Sequence, residues 1–256
     1  MRRIAAMASV IGAAVLFTAT VQAAGEVRAN LASGEKIFKE GKGSVPACNS
    51  CHGEKGMGND MMGTPRLAGQ MSQFVVKQLE DFATDKRIDS TMFVMNANAK
   101  GLAEQDRRDV AAYVSSLGEE MPAADRSNLA ELKAAGTVVG ETHLGKEIVQ
   151  YGIVAKGVPA CMSCHGYNGR GVDPIYPKLN GQKYVYLVNQ LNKWRDGSRA
   201  NDPLAQMRKV AAQLSDADIA NVAAYLAANA ENTTIGNSRT PEQHPYMLFD
   251  RTSSFH

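Results

Sequence analysis

The sequence predicts an all-α protein made of two tandem copies of one small helical domain. Three observations support this: apolar residues recur with helical spacing in both halves, strand-like alternation is scarce, and one half repeats the other at a nearly constant offset. The 256 residues are 44% hydrophobic and 21% charged, a globular composition with enough chain for two small domains. Aromatic residues make up only 6%, which is few for a chain that must build two cores.

The internal repeat sets the domain boundaries. Val45-Pro46-Ala47-Cys48 matches Val158-Pro159-Ala160-Cys161, and Pro65-Arg66-Leu67-Ala68-Gly69-Gln70 matches Pro177-Lys178-Leu179-Asn180-Gly181-Gln182. The offset in numbering changes only from 113 to 112 between these segments, which indicates two copies of one domain with small differences in loop length. We predict a signal peptide over 1–23, a first domain over 24–118, a linker over 119–139 with a short helix near Leu129–Ala134, a second domain over 140–230 and a polar tail over 231–256.

Helix signals accompany the repeat. Ser72 is predicted to cap a helix in the first copy. Ser215 and Asp218 form a variant of the capping box at the start of the last helix in the second copy. The apolar face predicted for the helix after Ser72 is Val75, Leu79 and Phe82, and that for the helix after Ser215 is Ile219, Val222, Ala223 and Leu226. The last helix of the first copy has a predicted apolar face of Val110, Tyr113, Val114 and Leu117.

The beginning of the chain has the pattern of an export signal. Arg2 and Arg3 precede an uncharged run from Ile4 to Val21, and Val21-Gln22-Ala23 fits a small-residue cleavage site. The run is also just long enough to span a bilayer, so an uncleaved membrane anchor is the alternative. Its richness in alanine and serine favours cleavage. Loss of two of the 28 basic residues leaves 26 basic and 26 acidic groups, a balance that gives nucleic-acid binding no electrostatic support.

All four cysteines lie in two C-x-x-C-H motifs, Cys48-Asn49-Ser50-Cys51-His52 and Cys161-Met162-Ser163-Cys164-His165. C-x-x-C-H is the attachment signal for c-type haem. Two thiols about one helical turn apart reach the two vinyl groups of a porphyrin, and the adjacent imidazole becomes the proximal ligand of the iron. The motifs therefore predict two covalently attached haem c groups, with cofactor-binding residues Cys48, Cys51, Cys161 and Cys164 and axial ligands His52 and His165.

Two other uses of paired cysteines fit less well. A redox disulfide of the C-x-x-C type is typical of a βαβ setting, which the surrounding sequence lacks. A zinc ion shared by the two pairs would join cysteines from opposite halves of the chain and leave both histidines unused.

The sixth iron ligand separates an electron carrier from a haem enzyme, because an open axial position can bind a substrate. Among the 12 methionines, Met95 and Met207 occupy equivalent positions in the two copies, and we predict that they are the distal ligands. The alternative is that both merely fill core space. Met57, Met61 and Met62 lack counterparts in the second copy, and His143, His244 and His256 are not equivalent to one another, so these residues are predicted not to be ligands.

With two C-x-x-C-H domains, a P-x-L-x-G-Q segment after each, and methionines in register, the chain resembles the dihaem cytochromes c of the cytochrome c4 type over about residues 30–230. The resemblance implies two class I cytochrome c domains related by pseudo-twofold symmetry. It also implies that the carbonyls of Pro65 and Pro177 accept a hydrogen bond from the proximal imidazoles. The aligned pairs Arg87/Arg199 and Phe82/Trp194 would lie near the haems, but exposed arginines and core aromatics are equally good interpretations, so they are not included among the site residues.

The resemblance implies an electron carrier and not an enzyme. The expected role is a periplasmic dihaem cytochrome that takes electrons from a quinol-oxidising complex or a dehydrogenase and passes them to a terminal oxidase or reductase. Its expected partners are redox proteins, with no nucleic acid and no small-molecule substrate. Two alternatives stay open: a dedicated cytochrome subunit of a dehydrogenase such as flavocytochrome c sulfide dehydrogenase, and a haem enzyme with one open axial site, such as a peroxidase or a thiosulfate-oxidising dihaem cytochrome.

Overall fold

The computed structural model describes residues 28–89, 94–117 and 127–228. In these ranges the chain is helical, and its β-structure is limited to isolated bridges. The helices are α1 (Leu31–Glu40), α2 (Asn49–His52), α3 (Ser72–Ala83), α4 (Val94–Lys100), α5 (Glu104–Ser116), α6 (Ser127–Ala134), α7 (Thr142–Tyr151), α8 (Met162–His165), α9 (Tyr184–Asp196), α10 (Gln206–Ala211) and α11 (Asp216–Ala228). The predicted all-α fold class is confirmed.

The two ends of the chain carry predictions that the structure does not address. The signal peptide over 1–23 and the tail over 231–256 lie outside the described residues. Within the described ranges, no helix is long and apolar enough to cross a membrane.

Each copy builds its own core from three longer helices. In the first copy α5 packs against α1 and α3, and in the second copy α11 packs against α7 and α9 in the same arrangement. The predicted apolar faces of the last helices are the buried ones: Val110 and Val114 in α5, and Ile219, Val222, Ala223 and Leu226 in α11. Tyr113 and Leu117 are half-buried and pack against the first core.

A glycine allows the first and last helices of each copy to touch. A Cβ atom on Gly34 of α1 would overlap the carbonyl oxygen of Asp109 in α5. A Cβ atom on Gly145 of α7 would overlap the carbonyl oxygen of Asn221 in α11. Real Cβ atoms cannot approach so closely, so both crossings require a residue without a side chain.

The two predicted helix starts have different outcomes. The capping pair is confirmed, because the Ser215 backbone N–H donates to the Asp218 carboxylate at 2.8 Å and the Asp218 N–H donates to the Ser215 hydroxyl at 3.2 Å. The prediction that Ser72 is an N-cap is wrong: Ser72 is the first residue of α3 and Met71 is the cap. The Ser72 hydroxyl donates to the Gln73 side-chain oxygen at 2.9 Å. The preceding Met71 N–H donates to the Gln70 side-chain oxygen at 3.1 Å, and that glutamine is fixed by contacts with the other copy.

The described part of the linker lies with the second copy. Helix α6 buries Leu129 and Leu132 in the same core as Ile148 and Val149 of α7. Further along, the Tyr184 hydroxyl donates to the Val138 carbonyl at 2.8 Å. Residues 127–139 therefore add a layer to the second core.

Candidate functional site

Each C-x-x-C-H motif forms a single helical turn. The His52 N–H donates to the Cys48 carbonyl at 3.0 Å, and the His165 N–H donates to the Cys161 carbonyl at 2.9 Å. Gly53 and Gly166 follow these turns with φ of 79° and 71°, a conformation that glycine adopts readily and that ends the helix. The turn therefore places two thiols and an imidazole on one short element in each copy.

Both motif histidines are buried and held by a proline carbonyl. His52 is 6% exposed, and its Nδ1 lies 2.9 Å from the Pro65 oxygen. His165 is 7% exposed, and its Nδ1 lies 2.9 Å from the Pro177 oxygen. Since a carbonyl oxygen can only accept, Nδ1 carries the proton and Nε2 keeps its lone pair for a metal.

Burial also keeps these imidazoles neutral. It lowers the pKa of His52 and that of His165, although the bond to the proline carbonyl acts in the opposite direction. A neutral imidazole is the form that binds a metal ion. The protonation state, the tautomer and the orientation are thus those that an axial haem ligand needs.

The cysteines fit attachment of a cofactor better than redox chemistry of their own. Cys48, Cys51, Cys161 and Cys164 are free thiols. Burial raises the pKa of Cys48 to about 11 and that of Cys161 to about 11. A reactive dithiol needs a lowered thiol pKa, so these motifs differ from a C-x-x-C redox centre.

The shared zinc site is not supported by the positions of its candidate ligands. The described residues include all four cysteines, His52, His143 and His165, and they contain no group of three or more cysteine, histidine or carboxylate side chains that could hold a metal ion. His143 is exposed on α7, whereas His244 and His256 lie outside the described ranges.

Met95 and Met207 lie at the start of equivalent short helices, α4 and α10. Both are half-buried, and Met95 packs against the core that Cys48 also contacts. The next residue fastens each helix: Asn96 donates to the carbonyls of Phe82 and Arg87 at 3.0 and 2.9 Å, and Arg208 donates to the Asp202 carboxylate at 2.8 Å. The structure therefore places the two predicted ligands on matching elements in fixed positions.

The equivalence of the two copies continues into their boundary. The Gln182 side chain accepts from the Arg66 N–H at 2.7 Å and donates to the Arg66 carbonyl at 3.0 Å. Gln70 makes the same pair of bonds with Lys178, at 3.0 and 2.9 Å. Each P-x-L-x-G-Q segment thus binds the other through its last residue, which relates the copies by a pseudo-twofold axis.

Arg87 and Arg199 are buried at this boundary. The alternative that they are surface residues is wrong, because each is 7% exposed and stacks on the aromatic ring of its own copy, Arg87 on Phe82 at 4.5 Å and Arg199 on Trp194 at 4.2 Å. The signal that could have identified them is the repeat itself. The offset of 112 pairs Arg87 with Arg199 and Gln78 with Gln190, and these four side chains meet at the boundary.

Comparison with known proteins agrees with this geometry. The family model described as Cytochrome c matches residues 31–118 and 144–230. A thiosulfate dehydrogenase electron acceptor of Stutzerimonas stutzeri (strain A1501) is 37% identical over 204 residues, which are 78% of this chain and 88% of that protein.

Two solved structures share the fold. Reduced recombinant cytochrome c4 from Pseudomonas stutzeri superposes with a TM-score of 0.62 and 30% identity over 79% of this chain and 100% of that chain. Thiosulfate dehydrogenase (TsdBA) from Marichromatium purpuratum gives a TM-score of 0.67 and 29% identity over 78% of this chain. This chain spans only 40% of that longer protein.

Proposed function

The chain belongs to the cytochrome c family, and we propose that it accepts electrons from a thiosulfate-oxidising dehydrogenase and passes them on through two His/Met-ligated haems. It is a dihaem electron-transfer protein of the cytochrome c4 type, and its cofactors are two haem c groups. When bound, these groups supply one-electron chemistry, while the chain holds them and controls access to them.

The proposed haem-binding residues form two equivalent sets. Cys48 and Cys51 would hold one haem through their sulfur atoms, with His52 and Met95 as the residues that would bind its iron. The second set is Cys161, Cys164, His165 and Met207. The observation that carries this assignment is the buried imidazole beside a pair of thiols, held by a proline carbonyl at 2.9 Å at equivalent positions of both copies.

A thiosulfate dehydrogenase is the donor that the comparisons favour. The Stutzerimonas relative is named as an electron acceptor of thiosulfate dehydrogenase. A second protein of that name, from Thiomonas intermedia, is 37% identical over 73% of this chain. This supports a dehydrogenase as the donor over a quinol-oxidising complex. The export pattern over 1–23 supports a periplasmic location, where this chain would pass its electrons to an oxidase or a reductase.

Axial ligation is tested by absorption spectra of the purified protein, with and without carbon monoxide. We expect a sulfur-to-iron charge-transfer band that accounts for both haems and no effect of carbon monoxide, because methionine fills both distal positions. A haem that lacks the band or binds carbon monoxide would contradict the assignment of its methionine and favour the haem-enzyme alternative.

The donor is tested by mixing the ferric protein with thiosulfate and a purified thiosulfate dehydrogenase and following haem reduction by stopped-flow absorption. We expect fast reduction of both haems in the complete mixture and none when the dehydrogenase is omitted. Reduction by thiosulfate alone would indicate an enzyme. Reduction of neither haem in the complete mixture would reject this donor while leaving the haem assignment intact.

A further inference from the structure

An open groove lies between α3 and α5 of the first copy, and its volume is about 400 Å³. Part of its lining is apolar, from Ala29, Val76 and Ala112. The charged residues of the lining are Lys77, Glu80 and Arg108. None of the proposed haem-binding residues lines the groove, so it is separate from the two cofactor sites.

The equivalent surface of the second copy is covered by α6. At the offset of 112, Val76 corresponds to Val188 and Ala112 to Ala224. Both counterparts pack in the core to which α6 contributes two leucines, Leu129 and Leu132. A helix of the linker therefore lies over one groove, while its counterpart in the first copy is open among the described residues.

The helix that covers the second copy belongs to the segment of chain that follows the first. Helix α5 ends at Ser116, and α6 begins at Ser127. The Asn128 side chain donates to Asp60 of the first copy, which places the start of α6 at the boundary. Since a pseudo-twofold axis relates the copies, the segment that follows α11 is the counterpart of this linker. By the same relation, it should pass to the groove of the first copy.

The tail starts close to the boundary and is long enough to cross it. Near the end of α11, the Leu226 carbonyl accepts from the Gly181 N–H at 2.8 Å, next to the boundary residue Gln182. The tail contains one run of four apolar residues, Tyr246-Met247-Leu248-Phe249. From the end of α11 to this run there are 17 residues, and a flexible chain of that length spans roughly 20–25 Å on average. This is about the width of one small domain.

We propose that the segment 246–249 docks in the groove between α3 and α5, so that each copy is covered by the segment that follows the last helix of the other. The tail is then a second strap across the boundary, equivalent to the linker. Its four apolar side chains cover the apolar part of the lining, as the two leucines of α6 do in the second copy. Asp250, directly after the run, is opposite in charge to Lys77 and Arg108. The proposal goes beyond electron transfer and does not depend on the donor or on the iron ligands.

Photo-crosslinking of the full-length holoprotein tests the docking. With p-benzoylphenylalanine in place of Leu248, mass spectrometry should find crosslinks within one chain to the residues of α3 and α5 that line the groove. The same probe in place of Ile235 is the matched control, because Ile235 is an apolar residue of the tail outside the run, and it should not react with the groove. Ala112→Trp fills the groove and should reduce the yield of the crosslink from position 248 by about tenfold or more.

Amide hydrogen exchange of the holoprotein is the second measurement. Leu248→Asp should raise the exchange rates in α3 and α5 by about tenfold relative to those in α9 and α11, because only the first copy loses its cover. Ile235→Asp should leave these rates unchanged.

Three results would overturn the proposal. Crosslinks between two chains would assign the groove to a second copy of the protein. A yield that Ala112→Trp does not reduce would place the tail on another surface. Absence of any crosslink, together with unchanged exchange in Leu248→Asp, would leave the groove to a partner protein.

Discussion

At the residue scale, the two methionines are held by different means. Asn96 fastens the Met95 helix by hydrogen bonds to backbone carbonyls, whereas Arg208 fastens the Met207 helix by an ion pair with Asp202. The chain before Met207 also contains Leu204 and Ala205, which have φ of 56° and 55°. Left-handed backbone is unfavourable for residues with a Cβ atom, so the second methionine follows a locally strained segment.

Removing either methionine should open one haem only. We expect Met95→Ala and Met207→Ala each to lose the charge-transfer band of one haem, to let that haem bind carbon monoxide and to lower its potential. Absorption spectra and redox titration measure these changes. Met61→Ala is the control, because Met61 is 81% exposed and lacks a counterpart in the second copy. If Met95→Ala behaved like Met61→Ala, Met95 would be a core residue and not a ligand.

The strained backbone before Met207 gives a prediction on stability. Ala205→Gly should raise the free energy of unfolding by about 0.5–1 kcal/mol, because relief of the left-handed strain exceeds the entropy cost of glycine. Guanidinium chloride unfolding measures it. Ala130→Gly, at an exposed position of α6, should instead lower the stability by about 1 kcal/mol. A loss of stability in both variants would show that residue 205 is not strained.

At the element scale, the stability of each copy depends on the crossing of its first and last helices. Gly34 and Gly145 are the contact points, and any side chain there collides with backbone of the partner helix, which cannot move aside as a flexible side chain can. The helices would have to separate, and the apolar contacts beside the glycine would then be lost.

We expect Gly34→Ala and Gly145→Ala each to destabilise the chain by at least about 2 kcal/mol. Calorimetry or denaturant unfolding of the holoprotein measures the loss. Gly43→Ala serves as control: Gly43 has a φ of 59°, but a Cβ atom there would meet nothing within 4 Å, so only the backbone penalty of about 1–2 kcal/mol applies. Equal losses of stability at all three positions would indicate that backbone strain, and not the collision with the partner helix, causes the loss.

The elements and the haem motifs could be predicted from sequence because their signals are local and occur twice. The C-x-x-C-H spacing, the apolar faces of α5 and α11 and the Ser215–Asp218 cap all lie within a few residues. The local pattern places the cap at Ser72, but α3 already begins at that residue, and the Ser72 hydroxyl donates to the Gln73 side chain. The burial of Arg87 and Arg199 is not predictable from local pattern, because some of their partners lie in the opposite half of the chain.

At the scale of the whole molecule, the two copies are joined by polar contacts with defined partners. Gln70 and Gln182 each make two hydrogen bonds to the backbone of the opposite copy. A further contact comes from Asp60, which accepts from the Val185 N–H in α9 at 2.8 Å and from Asn128 in α6. Hydrogen bonds of this kind fix orientation more than they add stability.

Weakening this boundary should reduce the cooperativity of unfolding between the two copies more than it reduces the stability of either core. In a Gln70→Ala/Gln182→Ala variant we expect unfolding to separate into two transitions and the radius of gyration to increase. Calorimetry and small-angle X-ray scattering measure these changes. Gln73→Ala, an exposed glutamine on α3, is the control. A single transition with unchanged dimensions would show that the remaining contacts, from Asp60 and from the buried Arg87 and Arg199, are enough to hold the copies together.

The reciprocal glutamine contacts have a consequence for the history of the chain. Because Gln70 binds Lys178 as Gln182 binds Arg66, the joint is isologous, and each copy contains both halves of it. This is the form of a twofold homodimer whose subunits have been fused into one polypeptide. Fusion makes association of the two copies independent of protein concentration, since both are part of one chain. It also lets the two halves diverge, so that one position can hold Tyr186 and its counterpart Phe74.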